Sequence, residues 1–112
     1  MAYQRGEVVL VNYPYTDMTA LRVRPAVVVS GTLYQTEQPD IMLAALTTNV
    51  GAATETLDYL LQDWASAGLR FATAFKPVIA TLEPALIVHR LGFLTAHDFA
   101  EVESRLRLAL EL

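Results

Sequence analysis

The sequence predicts a mainly β fold with a C-terminal helix, forming a small barrel in one domain that spans residues 1–112. The length of 112 residues fits one domain, because domains most often contain about 100–150 residues. Apolar residues make up 54% of the chain and are concentrated in short runs that turn residues interrupt. Towards the C-terminus the apolar spacing changes to three and four residues, which is the period of an amphipathic helix.

Five apolar runs are the predicted strands. They are, in chain order, residues 8–11, 25–30, 40–47, 75–82 and 86–91. Short runs rich in β-branched residues are typical of buried strands rather than of helices. Several runs are apolar on both faces, which favours a small barrel or a sheet that is covered on both sides.

The C-terminal segment is the predicted helix. Its apolar face contains Phe99, Val102, Leu106 and Ala109, and charged residues fill the opposite face. Thr95 and Asp98 have the spacing of a capping box, so we expect the helix to begin there. We expect this helix to cover the barrel core and the apolar residues 108–112 to be packed.

Two long connections are the predicted location of the functional groups. One runs from Pro14 to Arg24, and the other runs from Thr47 to about Thr56. Long loops in a compact domain are usually functional or disordered. Both connections place a polar side chain, Arg24 or Thr47, at a strand end. Residues 54–64 fit either a short helix or an irregular segment.

The composition excludes several classes of site. The chain contains no cysteine and two histidines, which rules out thiolate sites and a three-histidine metal site within one chain. No apolar run approaches the roughly 18 residues of a membrane span, and the N-terminus does not resemble a signal peptide. We therefore expect a soluble cytoplasmic protein. The net charge is −4, and residues 37–63 contain five acidic and no basic residues, so a local basic groove elsewhere remains compatible with the sequence.

An ordered set of motifs in residues 6–49 supports a family resemblance. The motifs are GEVVLVNYP at residues 6–14, RPAVVVS at residues 24–30, and ALTTN at residues 45–49, where a strand ends in hydroxyl residues. This order resembles the MazF/PemK family of toxins, and the Leu91-Gly92-Phe93 turn and the final helix also fit. The resemblance implies an SH3-like barrel, a homodimer and a cognate antitoxin. It also implies a metal-independent and cofactor-free endoribonuclease that cuts single-stranded mRNA and leaves 2′,3′-cyclic phosphate and 5′-hydroxyl ends.

The resemblance implies two catalytic residues, Arg24 and Thr47. Arg24 precedes a proline, which restricts its backbone to an extended conformation. Its guanidinium matches two phosphate oxygens and can stabilise a phosphorane. The Thr47 hydroxyl can donate a hydrogen bond to the phosphate or orient the attacking hydroxyl.

Five further residues are candidates for RNA binding. They are Arg22, Thr48, Asn49, Tyr15 and Asp17. Arg22 can add a phosphate contact and Tyr15 can stack on an unpaired base. A solvated loop or a turn after a strand explains the polar residues among them equally well.

Two alternative functions fit the same sequence. The first is a non-catalytic toxin of the same fold that binds and poisons DNA gyrase through a helical tip at the C-terminus; the apolar end of this chain argues against it. The second is a barrel that only binds its partner. Some relatives carry an acidic residue in the first loop, whereas this chain has Thr19 and Ala20 there and Asp17 nearby, which favours the second alternative.

Overall fold

The computed structural model describes residues 3–13, 22–54 and 56–112, with backbone alone at positions 13 and 22. The strands are β1 (Glu7–Tyr13), β2 (Arg22–Val28), β3 (Ile41–Thr47), β4 (Tyr59–Leu60), β5 (Ala74–Leu82) and β6 (Ile87–Phe93). The helices are α1 (Thr32–Glu37) and α2 (Ala96–Leu110), and residues 50–52 and 84–86 form single 3₁₀ turns. The mainly β fold with a C-terminal helix is therefore confirmed.

The strands form one antiparallel sheet in the order β4-β5-β3-β2-β1-β6. The central strands β3, β2 and β1 correspond to the first three predicted runs, and β5 and β6 correspond to the last two. The ladder between β3 and β5 shifts register between Ala44 and Ala45, and the ladder between β1 and β6 shifts twice. These irregularities bend the strands and change which side chains face each other.

Two apolar cores lie on the two faces of the sheet. Successive side chains of a strand point to opposite faces, so Val8 of β1 belongs to one core and Val9 to the other. The first core contains Val27 and Phe75 and is covered by α2. Burial on both faces explains why the strands appear in the sequence as continuous apolar runs rather than as alternating patterns.

Helix α2 begins where the sequence predicts. Thr95 is the N-cap, and its hydroxyl oxygen accepts the Asp98 backbone N–H at 3.2 Å. The Asp98 carboxylate does not complete a capping box. It is fully buried and accepts hydrogen bonds from the Tyr59 hydroxyl at 2.6 Å and from the backbone N–H groups of Gln62 and Asp63 at 3.0 and 2.8 Å. The cap of α2 is thus also the point where the segment after β4 is fixed to the helix.

The far end of α2 differs from the prediction. Val102 and Leu106 are buried in the first core, as expected for a covering helix. The expectation that residues 108–112 are packed is wrong, because Leu108, Leu110 and Leu112 are 58%, 53% and 83% exposed. Leu110 follows the buried Leu106 by four residues and lies on the same helix face, so the covered part of this face ends before the last turn.

The sequence fits either a short helix or an irregular segment at 54–64, and the described residues 54 and 56–64 are irregular apart from the two residues of β4. The described sheet therefore has six strands instead of the expected five. Strand β4 is short enough that its sequence contains no alternating pattern.

Candidate functional site

The ends of β2 and β3 bring the two predicted catalytic residues together. The ladder between these strands pairs Val27 with Ala44 and Ala26 with Ala45. The ladder ends at Ala26–Ala45, and Arg24 and Thr47 each lie two residues beyond that pair on their strands. Residues two apart on a strand point to the same face, so Arg24 shares the face of Ala26 and Thr47 shares the face of Ala45. The two side chains therefore share one face at the end of the sheet, although 22 positions separate them in the sequence.

Both side chains are accessible at this strand end. Arg24 is exposed and Thr47 is half-buried. The Thr47 hydroxyl oxygen accepts the Asn49 backbone N–H at 3.1 Å. A hydroxyl group has one hydrogen to donate and two lone pairs, so this contact fixes the oxygen and leaves the hydrogen for a bound group. The arrangement offers a guanidinium and a hydroxyl donor to one anion.

A lysine that the sequence analysis did not single out lies beside this pair. Lys76 of β5 is opposite Ala45, and Thr47 is opposite Ala74, so Lys76 is one row along the same face. Its ammonium group forms a 2.7 Å ion pair with the buried Asp58 carboxylate. No sequence pattern indicates this neighbour, because the register shift between Ala44 and Ala45 determines how β5 pairs with β3.

The Asp58 carboxylate is ionised at neutral pH. Burial by itself raises the pKa of Asp58, but the hydrogen bonds from Lys76 and from the Thr54 backbone N–H outweigh burial. The pKa of Asp58 therefore lies below its usual value. The lysine at the edge of the site is held in place by a permanent negative charge.

The predicted RNA-binding residues divide into two groups. Thr48 and Asn49 follow Thr47 directly and are exposed, so they lie at the same strand end. Arg22 is the first residue of β2, where its backbone pairs with Tyr13. Tyr15 and Asp17 lie outside the described residues. The roles of all these residues stay predictions.

No metal-binding cluster is evident in the described part of the chain: histidine, aspartate and glutamate do not assemble there into a group of three that could hold an ion. Likewise, none of the helices in the described ranges is long and apolar enough to cross a bilayer. The Arg24 guanidinium at the β2–β3 end is positively charged and has only hydrogen-bond donors, so this end favours an anion over a cation.

Comparison with protein families identifies the chain. Residues 4–110 match the family described as the PemK-like, MazF-like toxin of type II toxin–antitoxin systems. The chain belongs to this toxin family. A comparison with curated proteins gave no match.

Solved structures of MazF toxins resemble this toxin along their whole length. An endoribonuclease in complex with its cognate antitoxin, from a mycobacterial species, superimposes with a TM-score of 0.80 at 21% identity, covering 99% of this chain and 97% of the other. A MazE–MazF complex from Deinococcus radiodurans gives a TM-score of 0.78 at 18% identity, with coverage of 100% and 99%. Free MazF from the same organism gives 0.77 at 19% identity, with the same coverage. At these identities the likeness shows a shared fold.

Proposed function

We propose that this toxin is a metal-independent endoribonuclease that cuts single-stranded mRNA by attack of a 2′-hydroxyl on the adjacent phosphate. The observation that supports the proposal is the β2–β3 ladder, which ends two residues before Arg24 and Thr47 and leaves both on one accessible face at the same end of the strand pair. Family membership and structural similarity to proteins named endoribonucleases agree with it.

The proposed reaction forms one bond to phosphorus and breaks another. The 2′-oxygen attacks in line and loses its proton, the bond to the 5′-oxygen breaks, and that oxygen gains a proton. The products have 2′,3′-cyclic phosphate and 5′-hydroxyl ends. Negative charge accumulates on the non-bridging oxygens of the phosphorane, and stabilisation of such charge is usually the largest catalytic contribution.

Each residue has a defined part in this reaction. The planar guanidinium of Arg24 donates two parallel hydrogen bonds to the non-bridging oxygens. The Thr47 hydroxyl, held by the Asn49 N–H, donates its hydrogen to the phosphate. Lys76 contributes positive potential from the adjacent row while Asp58 holds its ammonium group.

A cleavage assay with a chelator present tests the proposal. Wild-type protein should cut single-stranded RNA and leave cyclic phosphate ends. Arg24→Ala should lower kcat/KM by about 10²- to 10³-fold, the usual cost of losing a donor to a developing oxyanion. Arg24→Lys should recover part of the rate, because it restores the charge without the planar fork. Arg107→Ala is the matched control, since it removes one charge from the exposed last turn of α2.

Threonine variants separate the hydroxyl from its packing. Thr47→Val keeps the shape of the side chain and should lower kcat/KM by roughly 10-fold, the value of one hydrogen bond to a charged group. Thr47→Ser should stay close to wild type. Unchanged cleavage in both Arg24→Ala and Thr47→Val would reject the site assignment.

We also propose a homodimer, a cognate antitoxin and action in the cytoplasm. Support comes from the family and from two related toxins that are described as complexes with their antitoxins. An antitoxin is expected to bind at the β2–β3 end, because blocking Arg24 and Thr47 would stop cleavage. Sedimentation of the free toxin measures the oligomeric state, and titration of the cleavage reaction with antitoxin measures neutralisation.

A second function is favoured by the exposed end of α2. Leu108, Leu110 and Leu112 project into solvent and could enter a partner such as DNA gyrase. Inhibition of gyrase supercoiling by the purified toxin, without RNA cleavage, would support this alternative. Leu112→Ser should then abolish the inhibition, whereas Arg24→Ala should not.

A further inference from the structure

An apolar pocket lies next to the Arg24–Thr47 pair on the opposite face of the same strand ends. Its walls include Leu10 of β1, Pro25 of β2, Leu91 of β6, and Leu69 and Phe71 from the loop before β5. Thr48 and Arg70 are at its polar margin. Strand β2 thus contributes Arg24 to the proposed catalytic pair and Pro25 to the pocket. The end of β3 contributes Thr47 to the pair, and Thr48, which follows it, borders the pocket.

We propose that this pocket binds one unpaired nucleobase of the RNA substrate, and that Phe71 is the aromatic surface on which the base stacks. The inference rests on the proposed endoribonuclease function and names the residues that hold a base beside the cut. The pocket volume of about 230 Å³ is smaller than the roughly 300–1,000 Å³ of sites for drug-sized ligands, and suits a single planar group.

Phe71 is the residue that makes this pocket suitable for a base. Its side chain is 67% exposed, so the ring at the pocket wall is accessible to a ligand. Proteins that bind single-stranded RNA stack unpaired bases on such rings. The adjacent Arg70 is also exposed and, within the described residues, belongs to no ion pair, so its charge is available to a phosphate.

The loop that presents Phe71 is fixed before any ligand binds. The buried Thr73 hydroxyl donates a 2.7 Å hydrogen bond to the Phe71 carbonyl, and the Leu69 N–H donates to the Trp64 carbonyl at 3.2 Å. Gly68 touches β6 so closely that a Cβ atom there would lie 2.3 Å from the Leu91 carbonyl oxygen. A preformed pocket requires less ordering on binding, and this favours affinity.

The position of the pocket fits the path of an RNA chain. Thr47 and Thr48 are consecutive residues with Cα atoms about 3.8 Å apart, so the phosphate donor and the pocket margin are adjacent. A nucleotide next to a phosphate held by Arg24 and Thr47 reaches the pocket by passing around this strand end, where Thr48 borders the pocket. An apolar side chain of an antitoxin is the competing occupant, and the test below distinguishes the two.

The experiment combines Phe71 variants with base removal. The cut site of wild-type toxin is mapped on a defined RNA, and a short oligonucleotide around it is made with each flanking nucleotide replaced in turn by an abasic unit. At one position the abasic unit should lower wild-type kcat/KM by roughly 5- to 150-fold, which is the range for loss of base stacking on an aromatic side chain. Phe71→Ala should lose a similar factor on intact RNA and show no further loss on that abasic RNA.

Three further variants control the result. Phe71→Tyr keeps the stacking surface and should cut as fast as wild type. Phe71→Leu keeps an apolar side chain without a ring and should lose most of the rate. Phe93→Ala removes an aromatic ring that is 47% exposed on β6 and should have no position-specific effect.

Several outcomes would overturn the inference. Full cleavage by Phe71→Ala, with Arg24→Ala inactive, rejects the pocket and leaves the endoribonuclease proposal intact. The pocket is also rejected if Phe71→Ala cuts intact RNA more slowly than wild type but loses as much further rate as wild type on every abasic RNA. Phe71 would then affect the structure of the toxin and not the binding of a base. Weaker antitoxin binding with unchanged cleavage would assign the pocket to the antitoxin. If wild-type toxin cuts no RNA, both proposals fail.

Discussion

At the scale of single residues, Asp98 makes the strongest prediction about stability. Its fully buried carboxylate accepts hydrogen bonds from the Tyr59 hydroxyl and two backbone N–H groups. Burial and the contact with Asp98 also raise the pKa of Tyr59, so its hydroxyl stays a donor throughout the accessible pH range. Asp98→Ala leaves three donors without an acceptor and should lower the free energy of unfolding by about 3–5 kcal/mol. Urea denaturation measures this, and Glu83→Ala, at an exposed position, should change it by less than about 0.5 kcal/mol.

The Asp58–Lys76 ion pair predicts a pH dependence of stability. The pKa of Asp58 is lowered in the folded state, so its ionisation stabilises the fold above the unfolded pKa of about 3.9. That contribution is lost as the pH falls through the folded pKa. Asp58→Asn should therefore be less stable than wild type by about 1.5 kcal/mol at pH 7, the value of a hydrogen bond to a charged group.

The difference in the free energy of unfolding between wild type and Asp58→Asn should become smaller below about pH 4, because the carboxyl group of Asp58 in the unfolded chain becomes protonated there. Denaturation curves between pH 7 and pH 3.5 measure it. A difference that does not vary with pH would show that Asp58 acts by packing alone. Glu83→Gln provides the comparison at an exposed carboxylate.

The residues of the candidate site differ in how well the sequence predicts them. The family resemblance of the motifs at residues 24–30 and 45–49 implies Arg24 and Thr47, and the predicted long loops beside these motifs agree with it. Lys76 and Phe71 could not be selected in this way. Lys76 reaches the site through a register shift, and Phe71 lies in a loop whose course depends on contacts with β6.

At the scale of elements, the loop between β4 and β5 depends on the glycine at position 68. Gly68 has a φ of +89°, and a Cβ atom there would lie 2.3 Å from the Leu91 carbonyl oxygen. Gly68→Ala should lower the free energy of unfolding by about 2–3 kcal/mol. The new side chain would both strain the backbone at this positive φ and clash with β6. Gly51→Ala is the matched control, since nothing lies within 4 Å of its added Cβ atom. Equal stability of the two variants in urea denaturation would contradict the close approach.

The elements were predicted well where burial is strong and poorly where it is weak. The five long strands appear as apolar runs because both faces of the sheet are covered. Helix α1 contains no buried residue, so its sequence has no amphipathic period, and β4 has two residues. The apolar residues at 108, 110 and 112 were misinterpreted because the sequence does not show where the sheet beneath α2 ends.

At the scale of the whole molecule, the distribution of charge determines how RNA can bind. The toxin carries a net charge of −4, so long-range attraction of a polyanion is weak and binding must depend on a few local cations. Arg24, Arg70 and Lys76 are near the proposed path of the RNA, and the charge of Lys76 is partly compensated by Asp58. We therefore expect contacts to about two or three phosphates.

This small number of contacts predicts a shallow salt dependence. For single strands, log K falls by about 0.7 per phosphate contact for each unit of log salt, so a slope of about −1.4 to −2 is expected. The measurement is the affinity for RNA with a 2′-O-methyl group at the cut site, which blocks cleavage, from 50 to 300 mM salt. Arg24→Ala should reduce the steepness by about 0.7, whereas Arg107→Ala should leave the slope unchanged although it alters net charge equally. A slope steeper than about −4 would require an extended basic surface, which the described residues of this acidic chain do not provide.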